Sequence, residues 1–197
     1  MYKKHTLRCI FCQYTVKIVV MKNLKQEKEE LRKYYLHVLK QHNRSVFNKI
    51  GSYDCKILLA YIPLKTEVDV VPAIKDAMNH GIKVAVPTEN EKLFAVLDNN
   101  WEAKLRTLEN KTQSIKTDNL LDISTIQEKT LVLVPGLAFT ESGIRLGRGS
   151  GFYDRVISLI ENSSNYEIKG ICTKNQIAES LPFDESDRKV SSLIICQ

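Results

Sequence analysis

Five of the chain's eight glycines fall within the stretch PGLAFTESGIRLGRGSGFYDR, residues 135–155. Gly147, Gly149 and Gly151 alternate there, with Arg145, Leu146, Arg148 and Ser150 among them. Residues of these types at this spacing suit phosphate. Glycines let the main chain approach a ligand closely and adopt positive φ. Backbone N–H groups at a loop and a helix start then converge on an anion. Arginine guanidinium groups fork onto phosphate oxygens. Asp154 is a hard oxygen donor, suited to a magnesium ion that also touches the phosphates. Its other role would be to stabilise the positive end of the helix that follows. The pattern is neither a Walker loop, since no Gly-Lys-Ser/Thr occurs, nor GxGxxG, since the spacing is GxGxG. The four histidines (His5, His37, His42, His80) are scattered and suggest no nucleophile–base pair.

The elements around this loop must position it. The apolar run Leu131–Val134 reads as a buried strand before it. Tyr153, Val156, Ile157 and Ile160 recur at helical spacing and predict a helix over 152–162. The connection, residues 135–151, is far longer than the usual ~2–6 residues of a strand-to-helix loop, which marks it as functional. Upstream, Leu31, Tyr35, Val38, His42 and Val46 form one stripe of a charged helix over 22–49. Strands are predicted at 56–61, 82–86, 92–97 (antiparallel), 167–172 and 193–196. A helix through Val71, Ile74 and Met78 has Asp69 as its N-cap and ends at His80-Gly81. Residues 99–129 read as a short helix and a long surface connection. Alternating strands and helices imply an α/β fold: a single three-layer domain with a mainly parallel sheet and helices on both faces. Ligands collect at the carboxyl ends of such strands, here after 56–61, 82–86 and 131–134.

Composition narrows the function classes. The chain has 197 residues, 43% hydrophobic and 26% charged, a length that suits one buried domain. Its net charge of +6 is concentrated at the start, because residues 1–20 hold Lys3, Lys4, Arg8 and Lys17 and no acid. The remainder carries 25 basic and 23 acidic residues, so no nucleic-acid footprint is indicated. No apolar run is long enough for a bilayer, and no membrane partner is expected. Residues 1–20 read as an N-terminal extension, either a targeting segment or an upstream start, with the domain running from Met21 to Gln197. Cys9-x-x-Cys12 lacks the second pair that a zinc site needs. Five cysteines without a secretory signal suggest reduced thiols.

The segment Arg145-Leu-Gly-Arg-Gly-Ser-Gly-Phe-Tyr-Asp154, preceded by Pro135-Gly-Leu-Ala-Phe139, closely resembles the signature of the 5-formyltetrahydrofolate cyclo-ligases, also called methenyltetrahydrofolate synthetases. Lys28-Glu-Glu-Leu-Arg32 is similar to the family's K-x-x-L-R on its first helix. Glu67-Val68-Asp69 is similar to its acidic segment after the first strand. The resemblance implies an ATP-dependent, ring-forming ligase acting on 5-formyltetrahydrofolate. ATP would be held by Lys28, Arg32 and the residues Arg145, Leu146, Gly147, Arg148, Gly149, Ser150, Gly151, Phe152 and Tyr153. Folate would contact Ile62 and Glu67 together with Arg148, Gly149, Ser150, Gly151 and Phe152. Arg148, Tyr153 and Arg145 would be catalytic, and Asp154 would hold Mg2+.

The resemblance also implies the reaction. The formyl oxygen attacks the γ-phosphate of ATP, ADP leaves, and a phosphorylated imidate forms. The other folate nitrogen then closes the ring, and phosphate departs from 5,10-methenyltetrahydrofolate. The chain departs from the family pattern at three places. Ser191 follows Lys189-Val190 where the family commonly has an acid, Thr88 replaces a basic residue, and Asn110–Asp118 lacks the expected aromatic and proline. A second reading follows from Ser191: a nucleotide-binding regulatory protein of the same fold with lost or reduced turnover. The expected protein is a cytoplasmic monomer or weak homo-oligomer, or an organellar one if the first residues are a targeting segment.

Overall fold

A computed structural model describes residues 12–51, 54–107 and 113–197, with residues 12–22 as helical backbone. The chain order begins α1 (Cys12–Gln41), β1 (Ile57–Leu59), α2 (Val71–Asn79), β2 (Lys83–Pro87) and β3 (Leu93–Val96). It continues through β4 (Leu105–Thr107), β5 (Gln113–Ile115), β6 (Leu120–Asp122), β7 (Thr130–Val134), β8 (Ala138–Phe139) and β9 (Arg145–Leu146). It ends with α3 (Phe152–Ile160), β10 (Tyr166–Thr173) and β11 (Ser192–Cys196).

The main sheet runs β11-β10-β7-β1-β2-β3-β6. Its first five strands are mutually parallel, while β3 runs antiparallel to β2 and β6 antiparallel to β3. Both faces are covered, as the alternation of side chains along each strand requires. Leu58 of β1 and Val84 and Val86 of β2 pack with Ile74 and Ala77 of α2. Their neighbours Ile57, Leu59 and Ala85 face the opposite way, onto Val156, Ile157 and Ile160 of α3. A third cluster sets Leu31, Tyr35 and Leu39 of α1 against Leu137, Leu146 and Leu181. The expected α/β architecture is therefore present, with α1 laid over the β8–β9 hairpin.

Three expectations change. First, α1 stops at Gln41 instead of continuing to 49. Residues 45–47 are captured by main-chain pairing with the segment before α2: Phe47 N–H donates to Asp69 O, and Asp69 N–H donates to Ser45 O, both at 2.8 Å. Val46 consequently leaves the stripe and is exposed. At the other end α1 begins at Cys12 and passes through Met21. Residues 1–11, including Cys9, lie outside the described residues.

Second, the connection between β7 and α3 contains a hairpin, β8 with β9. Third, the segment 99–129 holds a 3-10 turn at Trp101–Lys104, the hairpin β4–β5 and the edge strand β6. Three-residue strands are too short to show a period of two in the sequence. Asp69 accepts from Val71 N–H at 3.0 Å, so it supports the start of α2 although Val70 occupies the cap position. Among the described residues no helix is long and apolar enough to cross a membrane.

Candidate functional site

The carboxyl ends of β1, β2 and β7 open onto one cavity of about 790 Å³. Every site residue expected from the sequence lines it: Lys28 and Arg32 from α1, Ile62 and Glu67 after β1, and Arg145 through Asp154. The fold thus gathers side chains more than a hundred residues apart, because β7 pairs directly with β1 at the centre of the sheet. Their local partners separate them into distinct roles.

Arg145 is nearly sealed, with a side chain only 4% exposed. Its Nη2 donates to both carboxylate oxygens of Asp154, each at 3.0 Å. Tyr153 lies 5.8 Å from the guanidinium carbon, ring centre to carbon, a cation–π distance. Gly147 packs against the same guanidinium. A Cβ there would stand 2.5 Å from Arg145 Nη1, so only glycine permits this approach. The buried Nε–H has no partner among the described residues. Arg145 therefore supports the loop from beneath.

Arg148, which also lines the cavity, is more open, with a side chain 32% exposed. Its Nε donates to Glu67 Oε1 at 3.0 Å and its Nη2 to Thr66 Oγ1 at 2.6 Å. This links the glycine loop to the segment after β1. Arg32 lies along the loop on a third side, its Nε donating to Gly147 O at 3.0 Å. Gly151 has φ of +67° and caps α3, turning the chain so that the helix starts at Phe152. Ser150 Oγ accepts from Phe152 N–H at 3.4 Å. The Phe152 and Tyr153 rings meet edge to face, 5.3 Å apart. Leu146 sends its side chain into the third apolar cluster, so it offers the site only its backbone.

Lys28 is also paired. Its Nζ donates to Asp184 Oδ2 at 2.6 Å and to Asp187 Oδ2 at 2.5 Å, and its side chain is 11% exposed. Burial pulls its pKa down, but the two carboxylates outweigh that and raise it above the ordinary lysine value. The hydrogen bond from Lys28 draws Asp184 down to about 2. Arg188 N–H then donates to Asp154 Oδ1 at 3.2 Å. Segment 184–188 is thus stitched both to α1 and to the helix that follows the glycine loop.

Tyr153 and Tyr61 both line the cavity, and burial pushes both phenols well up, with the Glu67 charge adding to it. They remain neutral and can donate hydrogen bonds, but they cannot serve as bases near neutral pH. Among the described residues, no group of three or more His, Cys, Asp or Glu could hold a metal. Asp154 alone, with both oxygens engaged by Arg145, does not make a cage of protein ligands. A magnesium ion carried on phosphates needs only one or two carboxylates from the protein, and Asp154 lines the cavity beside the glycine loop.

Sequence reasoning missed several residues here. Asp184 and Asp187 lie 156 and 159 residues from Lys28, and nothing local signals the pairing. Thr66, and the Arg155–Glu91 pair at 2.6 Å on the rim, were equally silent. Gln113 and Ser114 of β5 reach the cavity from the segment in which no contact was recognisable. Residues 110–112 of that segment lie outside the described residues.

Comparisons with known proteins bear on this arrangement. "Probable 5-formyltetrahydrofolate cyclo-ligase" of Schizosaccharomyces pombe is 29% identical over 154 residues, covering 71% of this chain and 74% of that protein. The 5-formyltetrahydrofolate cyclo-ligase of Mycolicibacterium smegmatis is 28% identical over 137 residues, covering 67% of this chain and 69% of that protein. The NMR structure of Aquifex aeolicus 5,10-methenyltetrahydrofolate synthetase superposes with a TM-score of 0.58 at 23% identity, covering 91% of this chain and 86% of that one. That likeness supports the fold. The sequence model of the 5-formyltetrahydrofolate cyclo-ligase family matches residues 2–196, nearly the whole chain, and this protein belongs to that family.

Proposed function

We propose that this chain converts 5-formyltetrahydrofolate and ATP to 5,10-methenyltetrahydrofolate, ADP and phosphate. The observation that carries the reading is the Arg148–Glu67 pair. It joins a phosphate-suited glycine loop to the segment expected to hold folate, within one cavity. A reaction between two substrates needs both held against each other before charge moves.

The proposed course keeps the family chemistry. The formyl oxygen forms a bond to the γ-phosphorus, and the bond from that phosphorus to the β-bridging oxygen breaks, releasing ADP. The second folate nitrogen then bonds to the formyl carbon and gives up its proton, the C–O bond to phosphate breaks, and the departing phosphate carries that proton away. Phosphoryl transfer of this kind depends on positioning and charge stabilisation, and needs no covalent protein nucleophile. Arg148 supplies positive charge to the transferring phosphoryl group. Main-chain N–H groups of Gly147, Gly149 and Gly151 cradle the phosphates. Tyr153, kept neutral by burial, donates a hydrogen bond. Ile62 and Phe152 give the folate its apolar contacts. Arg32 flanks the loop, and Lys28 steadies the segment 184–188 from the same helix. Magnesium arriving with ATP would be held at Asp154, where it would neutralise phosphate oxygens.

Purified protein mixed with 5-formyltetrahydrofolate, ATP and magnesium should develop the ultraviolet absorbance of the methenyl product. A chain that binds ATP but forms no product would overturn this reading. That result would instead favour the nucleotide-binding regulatory protein, which Ser191, in place of the family's acid, would suit.

A further inference from the structure

Thr66 is absent from the lining of the main cavity, yet its hydroxyl holds one of the arginines that line it. Arg148 is bound along one edge. Nε donates to Glu67 Oε1 at 3.0 Å, and Nη2 donates to Thr66 Oγ1 at 2.6 Å. Glu67 is itself fixed, because its Oε2 accepts the Leu64 amide at 2.9 Å and its side chain is only 9% exposed. Rotating that carboxylate away would leave a buried charge bare.

One contact to a guanidinium acts as a pivot, and a second fixes the plane, because the group is flat and its N–H directions are rigid. The Nη1 end has no partner among the described residues and is left for a ligand. Thr66 lines a second cavity of about 580 Å³, on the far side of the segment 65–68. Its hydroxyl therefore reaches the main cavity through Arg148.

We propose that Thr66 is a positioning residue for Arg148: with Glu67 it clamps the Nε–Nη2 edge, so that the Nη1 edge points at the phosphoryl group. This rests on the ligase reading above. A clamp of this kind lowers the cost of ordering a long side chain during turnover, which is where preorganised charge has its effect.

The test is a double-mutant cycle. Thr66→Val keeps the shape and removes the acceptor. It should lower kcat by about tenfold, the scale of one hydrogen bond to a charged group, and weaken ATP binding severalfold, with the melting temperature little changed. Thr66→Ser, which keeps the hydroxyl, should restore kcat to within about twofold of the unsubstituted chain. In an Arg148→Ala background, Thr66→Val should cost nothing further. A Thr66→Val enzyme as fast as the original, or an undiminished loss on top of Arg148→Ala, would overturn the proposal. Turnover of the unsubstituted chain is the reference. If that chain forms no methenyl product, the ligase reading fails by itself, and the same cycle is read on ATP affinity by calorimetry. Non-additive losses there sustain the clamp; additive or absent losses reject it.

Discussion

The glycine-loop wall of the cavity and the rim that faces it are held by ion pairs of opposite character. On the loop wall, Arg145–Asp154, Arg148–Glu67 and Lys28–Asp187 each have at least one nearly buried partner. On the rim, Arg155 meets Glu91 with both side chains open to water. Water screens the rim pair, whereas the wall pairs act where the effective dielectric is lower. The charges of the loop wall are therefore held in place by their partners, while the rim pair is only weakly held. Within the wall itself, the two arginines divide the work: Arg145 supports the loop from below, and Arg148 presents its free end to the cavity.

The largest effect should come from splitting those two arginines apart. Arg145→Ala leaves Asp154 without its partner in a mostly buried site. It should lower unfolding free energy by about 3–5 kcal/mol in denaturant titration. Arg148→Ala should instead cut turnover by roughly 100-fold, the scale for removing one transition-state donor. Equal stability losses and equal turnover losses in the two variants would erase the distinction drawn here.

A smaller effect, and a pH-dependent one, is expected at Lys28. The Asp184 pKa is depressed to about 2 from its ordinary 3.8. A depressed carboxylate contributes stability that is complete above its unfolded pKa and lost as pH falls through the folded one. The melting-temperature advantage of the unsubstituted chain over Lys28→Met should therefore be full above pH ~4 and fade toward pH ~2. The raised Lys28 pKa works in the other direction. Its contribution is complete below the ordinary value of 10.5 and is lost only as pH rises beyond that. An advantage that stays constant from pH 5 to 2 would show that the pairing does not stabilise the fold.

The smallest effect belongs to the rim. Glu91→Gln should change unfolding free energy by less than about 1 kcal/mol, as exposed pairs do, and leave turnover within about twofold. A tenfold loss would move the rim into the working part of the site.

Much of this site could be read along the chain, and the reason lies in chain order. Residues 145–154 are contiguous, so their spacing marks a loop and the helix that follows, with positive φ at Gly149 and Gly151 but not at Gly147. The core strands were visible because Leu131–Val134 and Ile57–Leu59 are short apolar runs with turn residues near them. The β4–β5 hairpin and β6 escaped notice because three-residue strands carry no measurable period. The end of α1 differs from the expected one because the stripe continues in composition through Val46, while main-chain bonds from Phe47 to Asp69 and from Asp69 to Ser45 hold this segment outside the helix. The hairpin inside the long connection was hidden by the glycines that also mark it as functional.

By itself the sequence determined the α/β order of elements, the anion-suited loop and the family to which the chain belongs. These depend on periodicity and on neighbours in the chain. Only the tertiary structure decided what each charge faces. Arg145 and Arg148 stand three apart and look alike in sequence, yet one is sealed against Asp154 and the other opens onto the cavity. Lys28 stands in the sequence as a residue expected to hold ATP, and only the fold pairs it with Asp184 and Asp187 of segment 184–188. Burial and long-range partners set these differences, and both arise only when β7 pairs beside β1 and α1 closes over the loop.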